Sequence, residues 1–426
     1  MPVTEGSREL PPPRDRRRPT REQLFRRRLL VFSATAAVIA SGIYLPLTLL
    51  APLAPIAARP VPIATATQSA AAPVLPGYGA TALAVIGYPE ASTTAGSTRP
   101  LPIASISKIV TSLVVLEAKP LLPGSPGPTI TLTAADAALT ARYAALNGET
   151  KPLTAGSRIS QLDFLRVTLV ASANNYADAL AGWAFGSRAA FEIAVTAWLS
   201  SNGLDQTTIV EPTGIDPGNV STASDLVEIG RLALAEPVIA SIVAMRSMTL
   251  SGVGSFPNTN TLLGRLGVEG IKTGTLNGSS NLLFTATWRY ESRSITVVGA
   301  VIGAVDHRSV DASVTTLLAS VKAGFHEITL AKRGQAFADF TTAWSQRAKA
   351  VSTRPAKMLV WSNARVTTVV DARPAWIGGD RAAAGRVTFT VGSQSLSVPL
   401  RLDRALLDPG PWWRLSNPIK LLGTGS

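Results

Sequence analysis

The chain of 426 residues has no cysteine and only two histidines, His307 and His326. The lack of cysteine excludes disulfides and thiolate metal sites. Two histidines give little material for a histidine metal cluster or a Ser-His-Asp triad, and each is most simply interpreted as a surface or packing residue. Nucleophilic chemistry in this chain therefore has to rest on other side chains.

The net charge of +13 is concentrated near the N-terminus. Residues 1–28 contain nine arginines and four acidic residues, so this segment alone carries +5. The rest of the chain shows no interleaving of basic and aromatic residues that would form a nucleic-acid platform. We therefore expect no nucleic-acid partner, and we interpret residues 1–28 as a basic, disordered cytoplasmic tail.

An uncharged, apolar stretch at residues 29–50 is long enough to cross a bilayer as a helix. Arg26–Arg28 directly precede it, which predicts a cytoplasmic N-terminus and export of the remaining chain. The alternative is a cleaved signal peptide, whose apolar region is normally only about 7–15 residues long. We therefore predict a single-pass membrane anchor, joined to an extracellular domain by the Ala- and Pro-rich residues 51–77 as a flexible linker.

Apolar periodicity divides the exported part into two regions. Residues 78–327 have strand-like runs at both ends and a mostly helical pattern between them, which suits an α/β domain with helices on both faces of a sheet. Residues 328–426 contain short β-type runs separated by Gly- and Pro-containing turns. This second pattern predicts a small, separate β-rich domain.

A Ser-x-x-Lys motif, Ser105-Ile-Ser-Lys108, opens an amphipathic helix. Residues three apart lie on the same side of a helix, so the Lys108 amine can meet the Ser105 hydroxyl. A serine is a poor nucleophile unless a base takes its proton. A buried lysine has a lowered pKa and can be that base.

Two further motifs follow in order. Ser172-Ala-Asn174 comes 67 residues after Ser105, at a junction between predicted helices. Lys272-Thr-Gly-Thr275 comes a further 100 residues on, on a predicted strand. Ser-x-x-Lys, Ser-x-Asn and Lys-Thr-Gly in this order are the signatures of the penicillin-recognising serine enzymes.

The residues around these motifs resemble the serine-type D-alanyl-D-alanine carboxypeptidases over roughly residues 78–326. Leu-Pro-Ile-Ala-Ser-Ile-Ser-Lys at the nucleophile, Glu-Pro-Thr-Gly-Ile-Asp at 211–216 and Gly-Ile-Lys-Thr-Gly at 270–274 carry the resemblance. It implies an antiparallel sheet flanked by helices with an inserted helical subdomain, the β-lactamase/transpeptidase-like fold. One departure is Asn-Gly-Ser-Ser at 277–280, where family members often have Ala-Gly, and it bears on substrate preference.

The resemblance also implies a role for each motif residue. The implied catalytic residues are Ser105 as nucleophile, Lys108 as general base, and Ser172 and Lys272. The implied substrate-binding residues are Asn174, Thr273, Gly274 and Thr275. Backbone N–H groups of Ser105 and Thr275 would stabilise the oxyanion, and the two nearby lysines would lower each other's pKa. The implied substrate is a peptidoglycan stem peptide ending in D-Ala-D-Ala, with β-lactam antibiotics as covalent inhibitors and no metal or organic cofactor.

Two other interpretations of the motifs stay open at this stage. A class A β-lactamase uses the same three motifs together with a glutamate that activates the deacylating water, and Glu211 is the candidate for that role. An inactive, anchored peptidoglycan-binding homologue could keep the fold without the chemistry. The intact serine and lysine residues of the motifs argue against this last interpretation.

Overall fold

The computed structural model describes residues 20–63, 70–290, 293–378 and 381–422. The helices in these ranges are α1 Arg21–Leu49, α2 Ser107–Ala118, α3 Ala134–Ala145, α4 Gln161–Val170, α5 Asn174–Phe185, α6 Arg188–Ser201, α7 Ala223–Ala235, α8 Pro237–Val243, α9 His307–Ala323, α10 Pro411–Ser416 and α11 Pro418–Leu422.

The strands are mostly in the second half of the chain. They are β1 Arg59–Pro60, β2 Ala80–Val85, β3 Thr93–Gly96, β4 Leu101–Pro102, β5 Thr129–Thr131, β6 Arg158–Ser160, β7 Val220–Ser221, β8 Ser247–Leu250, β9 Gly254–Pro257, β10 Val268–Leu276, β11 Ser279–Tyr290, β12 Arg293–Ala304, β13 Phe325–Ala331, β14 Ala336–Thr341, β15 Arg347–Ser352, β16 Ala356–Trp361, β17 Thr367–Ala372, β18 Ala383–Val391 and β19 Gln394–Leu402.

The larger domain, predicted over residues 78–327, is built on an antiparallel sheet of order β10-β11-β12-β2-β3. Side chains alternate between two cores along its strands: Leu283 packs with helices α2 and α4–α8, while Leu282 packs with α9 on the other face. Both faces of the central strands are therefore apolar, and each needs a covering layer. The predicted fold is confirmed: a mixed α/β domain with helices on both faces of an antiparallel sheet and a helical subdomain between the strands.

Helix α1 begins eight residues before the predicted apolar span. Thr20 forms a capping box with Gln23: the Thr20 hydroxyl accepts from the Gln23 N–H, and the Gln23 side chain accepts from the Thr20 N–H. The expected disordered tail of residues 1–28 is thus wrong for residues 21–28, which are helical. The rest of that prediction, over residues 1–19, lies outside the described residues.

The flexible linker predicted for residues 51–77 is wrong for residues 51–63. Strand β1 pairs with β14 of the C-terminal domain, with Arg59 opposite Asp339. Ile56 pairs with Ala375 and is buried in the core of that domain. The Ala/Pro composition suggested a tether, but one buried isoleucine and a proline suited to an edge strand are enough to fix this segment. Residues 64–69 of the predicted linker lie outside the described residues.

The C-terminal region is β-rich, as predicted. Its sheet has the order β1-β14-β15-β19-β18-β17 and covers a core of aliphatic and phenylalanine side chains. The predicted boundary between residues 327 and 328 divides strand β13, which pairs with β16. At the end of β16, Trp361 packs in the core beside α9, and its indole N–H donates to the Val321 carbonyl at 3.0 Å. The two domains therefore share one apolar seam.

Candidate active site

The nucleophile candidate lies in a tight turn before helix α2. Residues 104–106 form a 3₁₀ turn, and Ala104 has a left-handed φ of 51°. Gly214 stands directly against this turn at φ +83°, and a Cβ there would overlap the Ala104 carbonyl oxygen. Only glycine at position 214 permits this close approach, which holds the turn in place. Ser105 therefore faces the cleft, while its neighbour Ile106 is buried.

Lys108 lies one helical turn after Ser105 and is fully buried. Its Nζ is 2.9 Å from Ser105 Oγ, 2.6 Å from Asn174 Oδ1 and 2.6 Å from the Thr213 carbonyl oxygen. Burial lowers the pKa of Lys108 to about 7, and the charges of Glu211 and Glu149 oppose that shift. A neutral amine is therefore available beside the serine hydroxyl near neutral pH.

The Ser-x-Asn motif sits where the chain passes from α4 to α5. Ser172 has a left-handed φ of 59° between the two helices, and Asn174 is the first residue of α5. The Asn174 N–H donates to the Glu149 carbonyl at 2.7 Å, which ties this junction to the loop after α3. Ser172 and Asn174 thereby reach the same cleft as Ser105.

The Lys-Thr-Gly motif lies on β10, the strand nearest the nucleophile turn. A Cβ on Gly274 would lie 2.5 Å from the Ile103 carbonyl oxygen, so glycine lets the strand pack against the turn. Lys272 is buried, and its Nζ donates to the Thr273 carbonyl at 3.0 Å. Burial holds the pKa of Lys272 well below its usual value, and the charge of Lys108 lowers it further. Of the mutual shift expected from the sequence, only the effect of Lys108 on Lys272 is found, and it is secondary to burial; the pKa of Lys108 is lowered by burial alone.

The motif residues surround a cleft of about 440 Å³. Ser105, Ser172, Asn174, Thr273 and Thr275 line it, as does the unpredicted Glu149 from the loop after α3. The two lysines and Gly274 lie behind the residues that line the cleft and pack against them. In the described part of the chain, no group of three or more histidine, aspartate or glutamate side chains is placed to hold a metal ion.

Two further residues that line the cleft, His307 and Thr259, also lie outside the three sequence motifs. His307 begins α9, and its Nε2 is 2.5 Å from Thr275 Oγ1. Burial lowers the pKa of His307; the charge of Lys272 adds to this shift, while Asp311 and Asp306 oppose it. Thr259 places its Oγ1 2.6 Å from Thr273 Oγ1. His307 carries no local sequence signal because it meets the motif only through the pairing of β10, β11 and β12.

Glu211, the candidate deacylating base of a β-lactamase, is turned into its own loop. Its carboxylate accepts from the N–H groups of Thr213, at 2.8 Å, and Gly214, and from the Asn219 side chain at 3.1 Å. The residue is 1% exposed and does not line the cleft. Its carboxylate stabilises the loop that presses Gly214 against the nucleophile turn.

The sheet, the inserted helices and a serine beside a buried lysine have the arrangement of the penicillin-binding protein fold. Solved structures agree on the fold: penicillin binding protein 5 from Haemophilus influenzae matches 82% of this chain and 100% of its own at a TM-score of 0.54 and 18% identity. Penicillin-binding protein 3 from Streptococcus pneumoniae, described as a peptidoglycan synthesis regulatory factor, matches 77% of this chain and 98% of its own at a TM-score of 0.55 and 20% identity.

Sequence comparison gives a more specific likeness. Residues 93–304, almost half of the chain, match the family model of the D-alanyl-D-alanine carboxypeptidases. The D-alanyl-D-alanine endopeptidase of Escherichia coli is 33% identical over 193 residues, which are 44% of this chain and 59% of that protein. The D-alanyl-D-alanine carboxypeptidase DacC of the same organism is 31% identical over 200 residues, 46% of this chain and 49% of its own. The chain thus spans 59% and 49% of the length of these two relatives.

Proposed function

We propose that the protein is a membrane-anchored, serine-type D-Ala-D-Ala carboxypeptidase that trims the terminal D-alanine from peptidoglycan stem peptides. The observation that carries this proposal is the distance of 2.9 Å between Ser105 Oγ and the Nζ of fully buried Lys108, at the edge of a polar cleft. A hydroxyl beside an amine whose pKa is about 7 is an activated nucleophile. The roles of the motif residues follow from this pair.

In the first half-reaction, Ser105 Oγ attacks the carbonyl carbon between the two terminal D-alanines while Lys108 takes the hydroxyl proton. Backbone N–H groups of Ser105 and Thr275 stabilise the oxyanion, an effect worth about 3–4 kcal/mol per donor in other enzymes. The carbon–nitrogen bond then breaks, and the proton passes through Ser172 to the leaving amine. D-alanine departs, and the shortened peptide stays attached to Ser105 as an ester.

In the second half-reaction, water attacks the ester carbonyl carbon and gives a proton to the amine of Lys108. The carbon–oxygen bond to Ser105 breaks, the proton returns to Ser105 Oγ, and the shortened peptide leaves with a new carboxylate. Asn174 orients the peptide by hydrogen bonding, and the hydroxyls of Thr273 and Thr275 bind the terminal carboxylate near the Lys272 amine. Gly274 lets these two threonines approach the nucleophile turn.

The test is covalent labelling by a fluorescent penicillin, combined with D-alanine release from a peptide ending in D-Ala-D-Ala. Ser105→Ala should abolish both signals. A matched control on the same helix is Ser112→Ala, because the buried Ser112 hydroxyl has no hydrogen-bond partner among the residues that the structure describes, and its removal should leave both signals unchanged. A folded Ser105→Ala protein that still forms the adduct, or still releases D-alanine at the wild-type rate, would contradict the proposal.

The same experiment addresses the competing functions. Slow loss of the label is expected for a carboxypeptidase, and rapid turnover would point to a β-lactamase. No labelling of the folded wild-type protein would point to an inactive peptidoglycan-binding homologue. Because the E. coli and Pseudomonas aeruginosa relatives are named endopeptidases, a cross-linked peptide dimer should be offered beside the D-Ala-D-Ala peptide.

We further propose that α1 is retained as a single-pass anchor, with the N-terminus in the cytoplasm and the catalytic domain outside. The helix is long and apolar enough to cross a membrane by length and composition, a property that a signal sequence shares. Retention is supported by its contacts: the Tyr44 hydroxyl donates to the Leu415 carbonyl, and Arg414 donates to the Ala51 carbonyl at 2.7 Å. Recovery of a soluble mature protein beginning after about residue 58 would contradict the anchor.

A further inference from the structure

The net charge of the protein is divided unequally between its two domains. Residues 328–426 contain fourteen lysines and arginines and five aspartates, a net charge of +9. Residues 78–327 contain sixteen basic and eighteen acidic residues, a net charge of −2. An excess of one sign that is confined to one small domain favours electrostatic attraction to a partner of the opposite charge.

Strand β19 shows which face of the six-stranded C-terminal sheet is the outer one. Val398, Leu400 and Leu402 point into the domain core. Positions 397, 399 and 401 of β19, and position 403 directly after it, therefore face outward. Successive outward positions of a strand are about 7 Å apart, so these four levels follow a line of about 20 Å across the outer face.

The first two levels of this line each have an arginine beside them. Arg354, in the loop after β15, is exposed, and its Nη2 donates to the Ser397 carbonyl at 2.9 Å. Arg386 of β18 is exposed and stands directly opposite Pro399. Its neighbour Val387 is buried in the core, so Arg386 faces outward.

The other two levels also have a basic residue each. Arg401 occupies the third level itself. Lys349 of β15 is exposed at the fourth level, where its backbone N–H donates to the Asp403 carboxylate at 2.8 Å and its carbonyl accepts from the Asp403 N–H at 2.9 Å. We call Arg354, Arg386, Arg401 and Lys349 the cation row.

Three members of the cation row have no carboxylate partner. Within the described ranges, Arg354, Arg401 and Lys349 form no ion pair. Arg386 Nε lies 3.3 Å from the Asp371 carboxylate. Arg401 is partly exposed, and its Nε is buried without a hydrogen-bond partner among the described residues. Basic groups that the fold leaves unpaired along one line are available to an external anion.

Two aspartates lie at the Lys349 end of the cation row. Asp339 of β14 stands opposite Lys349, and Arg59 of β1 stands opposite Asp339 on its other side. Asp403 forms an ion pair with Arg404 at 3.5 Å. Each aspartate thus has a second basic residue beside it, so the two aspartates do not neutralise the row.

The neutral residues around the cation row indicate which kind of polyanion fits. The outward positions of β18 and β19 beside it are mostly serine and threonine, and the hydroxyls of Thr388 and Ser397 are 3.1 Å apart. None of these outward positions has an aromatic or large aliphatic side chain. A single-stranded nucleic acid is normally held by aromatic stacking, and a bilayer interface by apolar side chains. Guanidinium groups and hydroxyls instead suit phosphate oxygens.

We propose that the cation row binds a linear phosphodiester polymer outside the cell, with one phosphate group at each level of about 7 Å. The polymer runs along β19 in an extended form, and each guanidinium or ammonium group pairs with one phosphate. Its location outside the cell rests on the proposed anchor. The residues that line the catalytic cleft all belong to the other domain, so this surface holds the enzyme beside the polymer without taking part in the reaction.

The test measures the binding of fluorescent poly(glycerol phosphate) to the full-length protein in nanodiscs of neutral lipid. The row variant combines Arg354→Gln, Arg401→Gln and Lys349→Gln. The matched control removes the same charge from three exposed arginines of the catalytic domain, by Arg99→Gln, Arg158→Gln and Arg265→Gln.

We expect the row variant to bind the polymer at least tenfold more weakly, while the control binds it as the wild-type protein does. The slope of log affinity against log salt concentration should also fall by about 2 in the row variant, because each phosphate contact on a single strand contributes about 0.7 to that slope. Penicillin labelling tests the proposed catalysis separately and should be the same in all three proteins.

A wild-type protein that does not bind the polymer, or a row variant that binds it as well as the control does, would overturn the inference. Equally tight binding of monomeric glycerol phosphate would overturn it too, because four levels in a line favour a polymer. Tighter binding of phosphatidylglycerol vesicles that is lost in the row variant would overturn it in favour of a lipid surface. Protection of the C-terminal domain from protease in spheroplasts would overturn the anchor and this partner together.

Discussion

The catalytic domain and the C-terminal domain differ in the kinds of side chain that they bury. Around the cleft, two lysines are almost completely inaccessible and have lowered pKa values. The C-terminal core contains Phe337 and Phe389 packed edge-on at 5.9 Å, together with aliphatic side chains. Its largely buried cation, Arg414, is charged and paired with Asp408, which raises the pKa of Arg414.

This difference distinguishes the domain that carries the reactive site from the domain that supports it. Burying an ammonium group without a carboxylate partner is unfavourable, so a fold keeps two such groups only where the neutral amine is useful. The C-terminal domain follows the ordinary rule that a buried charge is paired. Four predictions test whether the two regions are as different as this comparison implies.

The largest effect is expected at Lys108. Lys108→Ala should slow penicillin acylation by about 10²–10⁴-fold, because the Ser105 proton loses its base. The time course of fluorescent labelling measures this loss. Lys119→Ala, at the exposed C-terminal end of the same helix, is the control and should acylate normally. If a folded Lys108→Ala protein acylates within a few-fold of the wild-type rate, the buried lysine is not needed for acylation. The two domains would then not differ in the way that this comparison implies.

At the seam between the domains, Trp361→Ala should lower the free energy of unfolding by about 3–5 kcal/mol while leaving acylation of the folded protein intact. Trp361 fills the core beside α9, and its N–H donor bond to Val321 is lost as well. Urea unfolding gives the change, and Trp376→Ala, at a 63% exposed tryptophan, should give almost none. Loss of labelling in a folded Trp361→Ala protein would show that the C-terminal domain shapes the cleft.

The acylation rate should rise with pH through about 7 and then level off. The pKa of Lys108 is lowered to about 7, so each pH unit below that value leaves about tenfold less neutral base. The same lowered pKa has a consequence for folding: the unfolded chain holds this proton up to about pH 10, so stability should rise with pH between about 7 and 10. An acylation rate that is flat between pH 5 and 8 would contradict Lys108 as the base.

The smallest effect is expected at His307. His307→Ala should raise KM for the D-Ala-D-Ala peptide by roughly 2–10-fold with little change in kcat, since one hydrogen bond to Thr275 is removed. His326→Ala is the matched control, because His326 contacts the Gly324 carbonyl away from the cleft. If the two variants have the same KM, His307 has no part in positioning Thr275.

The sequence was sufficient to predict which motif residues meet at the cleft, while their catalytic roles stay predictions. Ser105 and Lys108 are one helical turn apart, and each further motif needs its own residue types at a fixed spacing, so all of them could be named in advance. The alternating cores of the sheet followed from strands that are apolar on both faces. The start of α7 is also set locally, because the Thr222 hydroxyl accepts from the Asp225 N–H at 3.1 Å and such a cap acts within a few residues.

What the sequence could not predict depends on contacts between distant residues. His307 reaches Thr275 only because β10, β11 and β12 are neighbours, and nothing around His307 distinguishes it from a surface residue. Ile56 and Arg59 were assigned to a tether because their partners, Ala375 and Asp339, lie about 300 residues away. Composition reports the average character of a segment, whereas one buried side chain decides whether it is fixed.

The pairing of β1 with β14 also sets an order of events during synthesis. Strand β1 is made before the whole catalytic domain, whereas its partner is made after it. At a synthesis rate of about 5–20 residues per second, tens of seconds pass between the synthesis of β1 and that of β14. The catalytic domain can therefore be complete while the sheet that joins the chain's two ends is still open. The pairing of β1 with β14, late in synthesis, is the step that joins the C-terminal domain to the segment that follows α1.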